Sequence, residues 1–160
     1  MLRSLRSVTA ILLFALVNIT TLPTTVKAQD SNVEKENFTV SLKSCDRSGK
    51  IIKCHLLLTS KKKFDIRVYG RSGNYPTSRI FDSFGNEYNA ASVKIGNTEN
   101  ADWVDKQLLE GIPTKLMLTF NEIPPEVKEI AVLDIRSTSN YANTDNTEFR
   151  NIVIFNRVKK

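Results

Sequence analysis

The chain has 160 residues, 41% of them hydrophobic and 25% charged, with a formal net charge of +6. That length suits one domain able to bury about two-thirds of its unfolded surface, and no internal repeat or low-complexity stretch interrupts it. One histidine and two cysteines exclude the usual zinc ligand sets.

Residues 1–28 read as an export signal: Arg3 and Arg6 give a positive start, Val8 to Val17 an apolar run, and Val26-Lys27-Ala28 a small-residue cleavage site. The competing reading is an uncleaved anchor. Asn18, Thr20, Thr21 and Pro23 interrupt the run short of the roughly 20 apolar residues a bilayer core needs. The expectation is therefore a secreted or periplasmic protein without stable membrane insertion after cleavage. Half of the formal charge lies in this segment (Arg3, Arg6 and Lys27, with no acid). The remaining charges are interspersed apart from Lys61-Lys62-Lys63, a solvated run, so no nucleic-acid partner is expected.

Residues 29–36 are polar and read as a flexible N-terminal segment. A single β-sandwich domain over residues 37–160 follows. Phe38, Val40 and Leu42 alternate on a first strand and Ile52, Cys54, Leu56 and Leu58 on a second. A Gly49-Lys50 turn places Cys45 opposite Cys54, and the exported compartment predicts a disulfide between them. Cys45 has the opposite parity from Leu42. Both face the core only if an extra residue, Lys43 or Ser44, forms a β-bulge. Closing so short a loop contributes about 2 to 3 kcal/mol on the chain-entropy account.

Phe64, Ile66 and Val68 form the next strand, ended by Gly70 and a polar loop to Ser78. Arg79 to Phe81 leads into an Asp82-Ser83-Phe84-Gly85 turn. Tyr88 and Ser92 to Ile95 continue as strand, Asn97 to Asp102 reads as loop, and Trp103 to Leu109 holds a short strand. Leu116, Leu118 and Phe120 alternate, Ile130 to Ile135 resembles a central strand, Ser137 to Thr147 reads as a polar loop, and Phe149 to Phe155 closes the pattern. The fold expected is all-β, an antiparallel Greek-key sandwich of about seven to nine strands, with a small barrel as the alternative.

Asp82-x-x-Gly85-Asn86-x-Tyr88, Leu109-x-Gly111-x-Pro113, Leu118-x-Phe120 and Ile123-Pro124 resemble exported immunoglobulin-like β-sandwich domains common in bacteria. The resemblance covers about residues 36 to 158. Its motifs are turns and core positions, so it implies an Ig-like fold and carries no chemistry. Many such domains follow a lipid-attachment cysteine, which this chain lacks, so tethering is not implied.

No catalytic constellation emerges. His55 lies within a strand beside Cys54, and Gly70-Arg71-Ser72-Gly73-Asn74 misses the nucleophile-elbow spacing. Glu99, Asp102 and Asp105 are oxygen donors without a calcium-loop spacing. No metal, cofactor or enzymatic activity is expected. Asn37-Phe38-Thr39 fits a glycosylation acceptor. Loops on a rigid sandwich are common binding sites, which nominates Arg71, Tyr75, Arg79 and Tyr141, with Trp103 as a further aromatic. The expected function is a non-catalytic exported module binding a protein or envelope component. Carbohydrate binding through Trp103, Tyr75 or Tyr141 and a carboxylate-dependent hydrolase are the alternatives.

Overall fold

The computed structural model describes residues 31–71, 73, 76–140 and 144–157. Eleven strands and no helix occur among them. In chain order these are β1 (Ser31–Glu34), β2 (Phe38–Ser48), β3 (Ile51–Ser60), β4 (Phe64–Tyr69), β5 (Arg79–Asp82) and β6 (Glu87–Ile95). There follow β7 (Thr98–Asn100), β8 (Trp103–Leu108), β9 (Thr114–Phe120), β10 (Glu129–Ser139) and β11 (Thr144–Asn156).

The alternation read from the sequence sets the faces. On β2 and β3, Phe38, Val40, Leu42, Ile52, Leu56 and Leu58 are buried. They face Ile66, Val68, Ile80, Leu133, Ile135 and Phe149 of the second layer in one core. The stacked rings of Phe38 and Phe64, 5.6 Å apart between centroids, join the layers. Register along β2 and β3 shifts between Leu42 and Ser44, leaving Lys43 as the bulged residue. That shift turns Cys45 and Arg47 toward the interior. Cys45 then pairs directly with Cys54, the two are disulfide-bonded, and their Cα atoms lie 4.0 Å apart. Gly49 takes a φ of 62° in the two-residue turn, the conformation a type II′ hairpin asks of its first central residue.

The front sheet runs β1, β2, β3, β9 and the second half of β6, with β7 at its margin. The back sheet contains β8, β4, β10, β5 and the first half of β6. Two strands belong to both layers. β6 pairs with β5 through Asn89 and with β9 from Ala90 onward. β11 pairs antiparallel with β10 up to Val153, then parallel with β2 from Ile154. Asn151, with a φ of 55°, lies just before that change of partner and bends the strand. The sandwich is thereby closed at both corners into a ring of β2, β3, β9, β6, β5, β10 and β11.

Four sequence expectations are corrected. Residues 31–34 are not a flexible lead but strand β1, pairing with the open edge of β2 from Ser31↔Leu42 to Glu34↔Thr39, with Val33 packed on the core. Residues 98–100 form β7 in a tight hairpin with β6. The polar stretch from Ser137 is mostly strand: β10 runs to Ser139 and β11 begins at Thr144, with Ser137, Thr138 and Thr147 buried. Among the described residues the strand count is eleven rather than seven to nine, because short polar strands are held by backbone pairing and leave no apolar alternation to read.

Candidate functional site

Of the residues nominated from sequence, Tyr75 and Tyr141 lie outside the described residues, as does the signal segment. The loop carrying Arg71 leaves the back sheet where β4 and β5 lie end to end along one edge of β10. Its base is tied at both ends. Ser78, fully buried, donates its hydroxyl to the carbonyl of Tyr69 (2.5 Å) and accepts the N–H of Arg136 (3.0 Å). The N–H groups of Gly70 and Arg71 donate to Asp102 and Ala101 (both 2.7 Å). Gly70 is required there, since a Cβ would sit 2.4 Å from the Ala101 carbonyl oxygen.

Arg71 is exposed at that base, whereas Arg79 is not the exposed loop residue expected. It is the first residue of β5 and only one-third exposed, donating to Asp134 at 3.1 Å and Glu87 at 3.3 Å, with its guanidinium 5.1 Å from the Phe81 ring. Arg136 also donates to Asp134 (2.7 Å), which is buried. The other Asp134 oxygen, Oδ1, is buried without a partner. Trp103 pairs with Tyr69 across β8 and β4, and the Arg67 guanidinium lies 5.1 Å from its ring centre. Asp105 grips Arg67 through two bonds of 2.7 and 2.8 Å and holds it more firmly protonated. One face of the indole is thus covered by a cation.

The two nominated loops do not share a surface at their bases. Asn140 bonds the carbonyl of Asp65 at the start of β4, whereas the Arg71 loop leaves from its far end. About six residues of extended chain, some 20 Å, separate them.

The acids considered for calcium are also placed. Glu99 accepts from Ser92 and pairs with Lys94, and Asp105 is held by Arg67. Among the described residues no group of three or more His, Cys, Asp or Glu side chains could hold a metal ion.

A different surface presents itself on the outer face of the front sheet. There a shallow groove of about 350 Å³ crosses β2, β3, β9 and β6. Cross-strand register builds it. His55 pairs with Met117 and Met117 with Lys94 in one row, while Leu57 pairs with Lys115 in the next. Leu57 and Met117 are therefore diagonal neighbours within side-chain reach. They are half-buried and form an apolar floor, and Lys43, Lys94 and Lys115 frame it. Sequence reasoning missed these residues. The available signal was the unbroken Leu56-Leu57-Leu58, in which the middle leucine must face away from the core.

His55 lies at the rim. Its Nε2 is 3.3 Å from Asp46 Oδ2 but off the line of a hydrogen bond, so the contact is electrostatic. Desolvation pushes the imidazole below its ordinary pKa, outweighing the opposing pull of Asp46. Ser44 donates to the same Asp46 oxygen at 3.5 Å, and Arg157 pairs with it at 2.7 Å. In a hydrolytic triad the histidine stands between nucleophile and acid. Here the acid stands in the middle, so His55 cannot take a proton from Ser44.

No protein-family description matches the chain, and no curated protein matches it. Among solved structures it is similar to the GAE domain of GGA2p from Saccharomyces cerevisiae, at 9% identity and a TM-score of 0.38. The likeness covers 76% of this chain and 96% of that one. At that level no residue correspondence is drawn from it.

Proposed function

We propose that this domain is an exported, non-catalytic binding module that engages a protein partner through the outer face of its front sheet. The observation that carries the reading is the groove itself, in which half-buried Leu57 and Met117 form an apolar floor framed by Lys43, Lys94 and Lys115. The signal-like residues 1–28 and the buried Cys45–Cys54 disulfide support an oxidising compartment. The displaced order of Ser44, Asp46 and His55 speaks against a serine–histidine hydrolytic triad. Arg67 over Trp103 takes one face on which a sugar would stack, which weakens the carbohydrate reading.

The test is site-specific photo-crosslinking in the cells that export the protein. A benzophenone side chain at Met117 is expected to capture a discrete protein, and the same probe at Leu109, exposed elsewhere, is not. Equal capture from both positions, or none from Met117, refutes the reading.

A further inference from the structure

We propose that the front-sheet groove receives an acidic, extended segment of the partner that runs across the strands, with an apolar side chain flanked two residues away on either side by carboxylates. This rests on the reading that the face binds protein, and it specifies what is bound.

Geometry sets the spacing. Lys43 stands on β2 and Lys94 on β6, with β3 and β9 between them. Three strand spacings of about 4.8 Å separate their backbones by about 14 Å. An extended chain advances about 3.3 Å per residue and turns alternate side chains to one face, so residues i and i+4 on that face stand about 13 Å apart. A segment laid across the strands thus brings acids at i and i+4 to the two outer lysines and sets residue i+2 over Met117, between His55 in the same row and Leu57 in the next. Lys115, on the row beside Met117, flanks the centre and adds a third cation.

Charge on this face favours an anion. Lys43, Lys53, Lys61, Lys94, Lys115 and Arg157 stand against Glu34, Asp46 and Glu99; Glu34 pairs with Lys61, Asp46 is shared by Arg157 and His55, and the exposed Lys94–Glu99 pair, 3.7 Å apart, can exchange for a bound carboxylate. The apolar centre argues against a purely anionic ligand, because phosphates or sulfates would leave Leu57 and Met117 wet. A long acyl chain fits poorly as well: the floor is two side chains wide with lysines at both ends, so the tail would lie over a cation. An amphipathic acidic peptide satisfies both the floor and its frame.

The probe is the blocked peptide Gly-Glu-Ser-Leu-Ser-Glu-Gly, titrated into isotope-labelled residues 29–160 with backbone amide shifts as readout, at low salt. Shifts are expected to concentrate at Leu57, Lys94, Lys115 and Met117. The double variant Lys43→Glu with Lys94→Glu is expected to weaken binding at least tenfold, and Lys106→Glu on the distant β8 to leave it unchanged. Replacing the peptide's leucine by serine, or moving its two glutamates next to each other, is expected to weaken binding at least threefold. Equal binding of the rearranged peptides, or an unchanged affinity of the double variant, overturns the proposal. So does stronger binding of dodecanoate or of phosphatidylserine vesicles than of the peptide. If the peptide fails while Met117 still crosslinks a partner, the acidic-segment inference falls and the protein-binding reading stands. If the peptide binds as expected but no partner is captured, the groove chemistry holds and the in-cell reading falls.

Discussion

The Asp82 turn gives the sharpest quantitative test of how this fold is held. Asp82 is buried, and its Oδ1 accepts the N–H groups of Phe84 and Asn86, both at 2.9 Å. Its Oδ2 accepts the Asn86 side-chain amide at 2.8 Å and the Tyr88 hydroxyl at 3.2 Å. Burial would raise the pKa of this carboxyl, but the bonds from Asn86, Phe84 and Tyr88 together hold it below the usual value. Bonds to a charged group contribute about 1.5 to 3 kcal/mol each when nothing replaces them. Phe84 and Asn86 are exposed, so water takes over their N–H groups in a truncated variant, and Tyr88 is the donor left short. Asp82→Ala is therefore expected to cost about 3 kcal/mol. Asp82→Asn keeps the Oδ1 bonds but turns an amide toward two donors, and is expected to cost about 1 to 1.5 kcal/mol. Because the folded carboxyl is more acidic than the unfolded one at about 3.9, its contribution is fully present above that pH and is lost as pH falls through the folded value. Urea unfolding at pH 7, 5 and 3 measures this. The gap between wild type and Asp82→Asn should be narrower at pH 3 than at pH 7. A gap of the same size at pH 3 as at pH 7, or an Asp82→Ala cost within 0.5 kcal/mol of zero, refutes the reasoning.

Other outcomes follow from equally local features. Intact mass under non-reducing conditions should show the Cys45–Cys54 bridge, and replacing both cysteines by serine should lower stability by about 2 to 3 kcal/mol; two alkylatable thiols in native protein would contradict it. Arg47, buried and within the field of Glu126, donates to the carbonyls of Ile123, Pro124 and Val127. Arg47→Met should cost about 2 to 3 kcal/mol and speed amide exchange at Ile123, whose N–H bonds Lys50. Gly70→Ala should lower stability by about 2 kcal/mol through the clash at Ala101, whereas Gly73→Ala, with open space around it, should change the melting temperature little. An NMR titration should place His55 below its usual 6.5, because desolvation disfavours the cation. Its linked contribution to stability is then present above the unfolded value and declines as pH falls toward the folded one.

What could be read from the sequence is what a core imposes. The parity conflict between Leu42 and Cys45 required a bulge, and Lys43 is that bulge. Asp82 and Gly85 marked their turn because the chemistry of such turns is local. β1 and β7 escaped because Ser31–Glu34 and Thr98–Asn100 are held by ladder hydrogen bonds, for which polar side chains leave no signature. Arg79 reads from the sequence as an exposed contact because nothing in its neighbourhood along the chain announces Asp134. That ion pair exists only once β5 lies against β10. The groove was half legible: the leucine triplet shows that Leu57 points outward, but its meeting with Met117 depends on the register of β3 against β9.

The double pairing of β11 has a consequence for how the chain comes to be folded. Of the two edges it seals, that of β10 belongs to the preceding strand but that of β2 to one made far earlier, so a chain emerging N-terminus first cannot complete its ring until residues 144–156 arrive. Until then two ladder edges stay unpaired, and the β11–β2 pairing that closes the ring joins segments distant along the sequence, the kind of contact that slows folding. The chain is most prone to pairing with a neighbour in the interval just before its last strand docks.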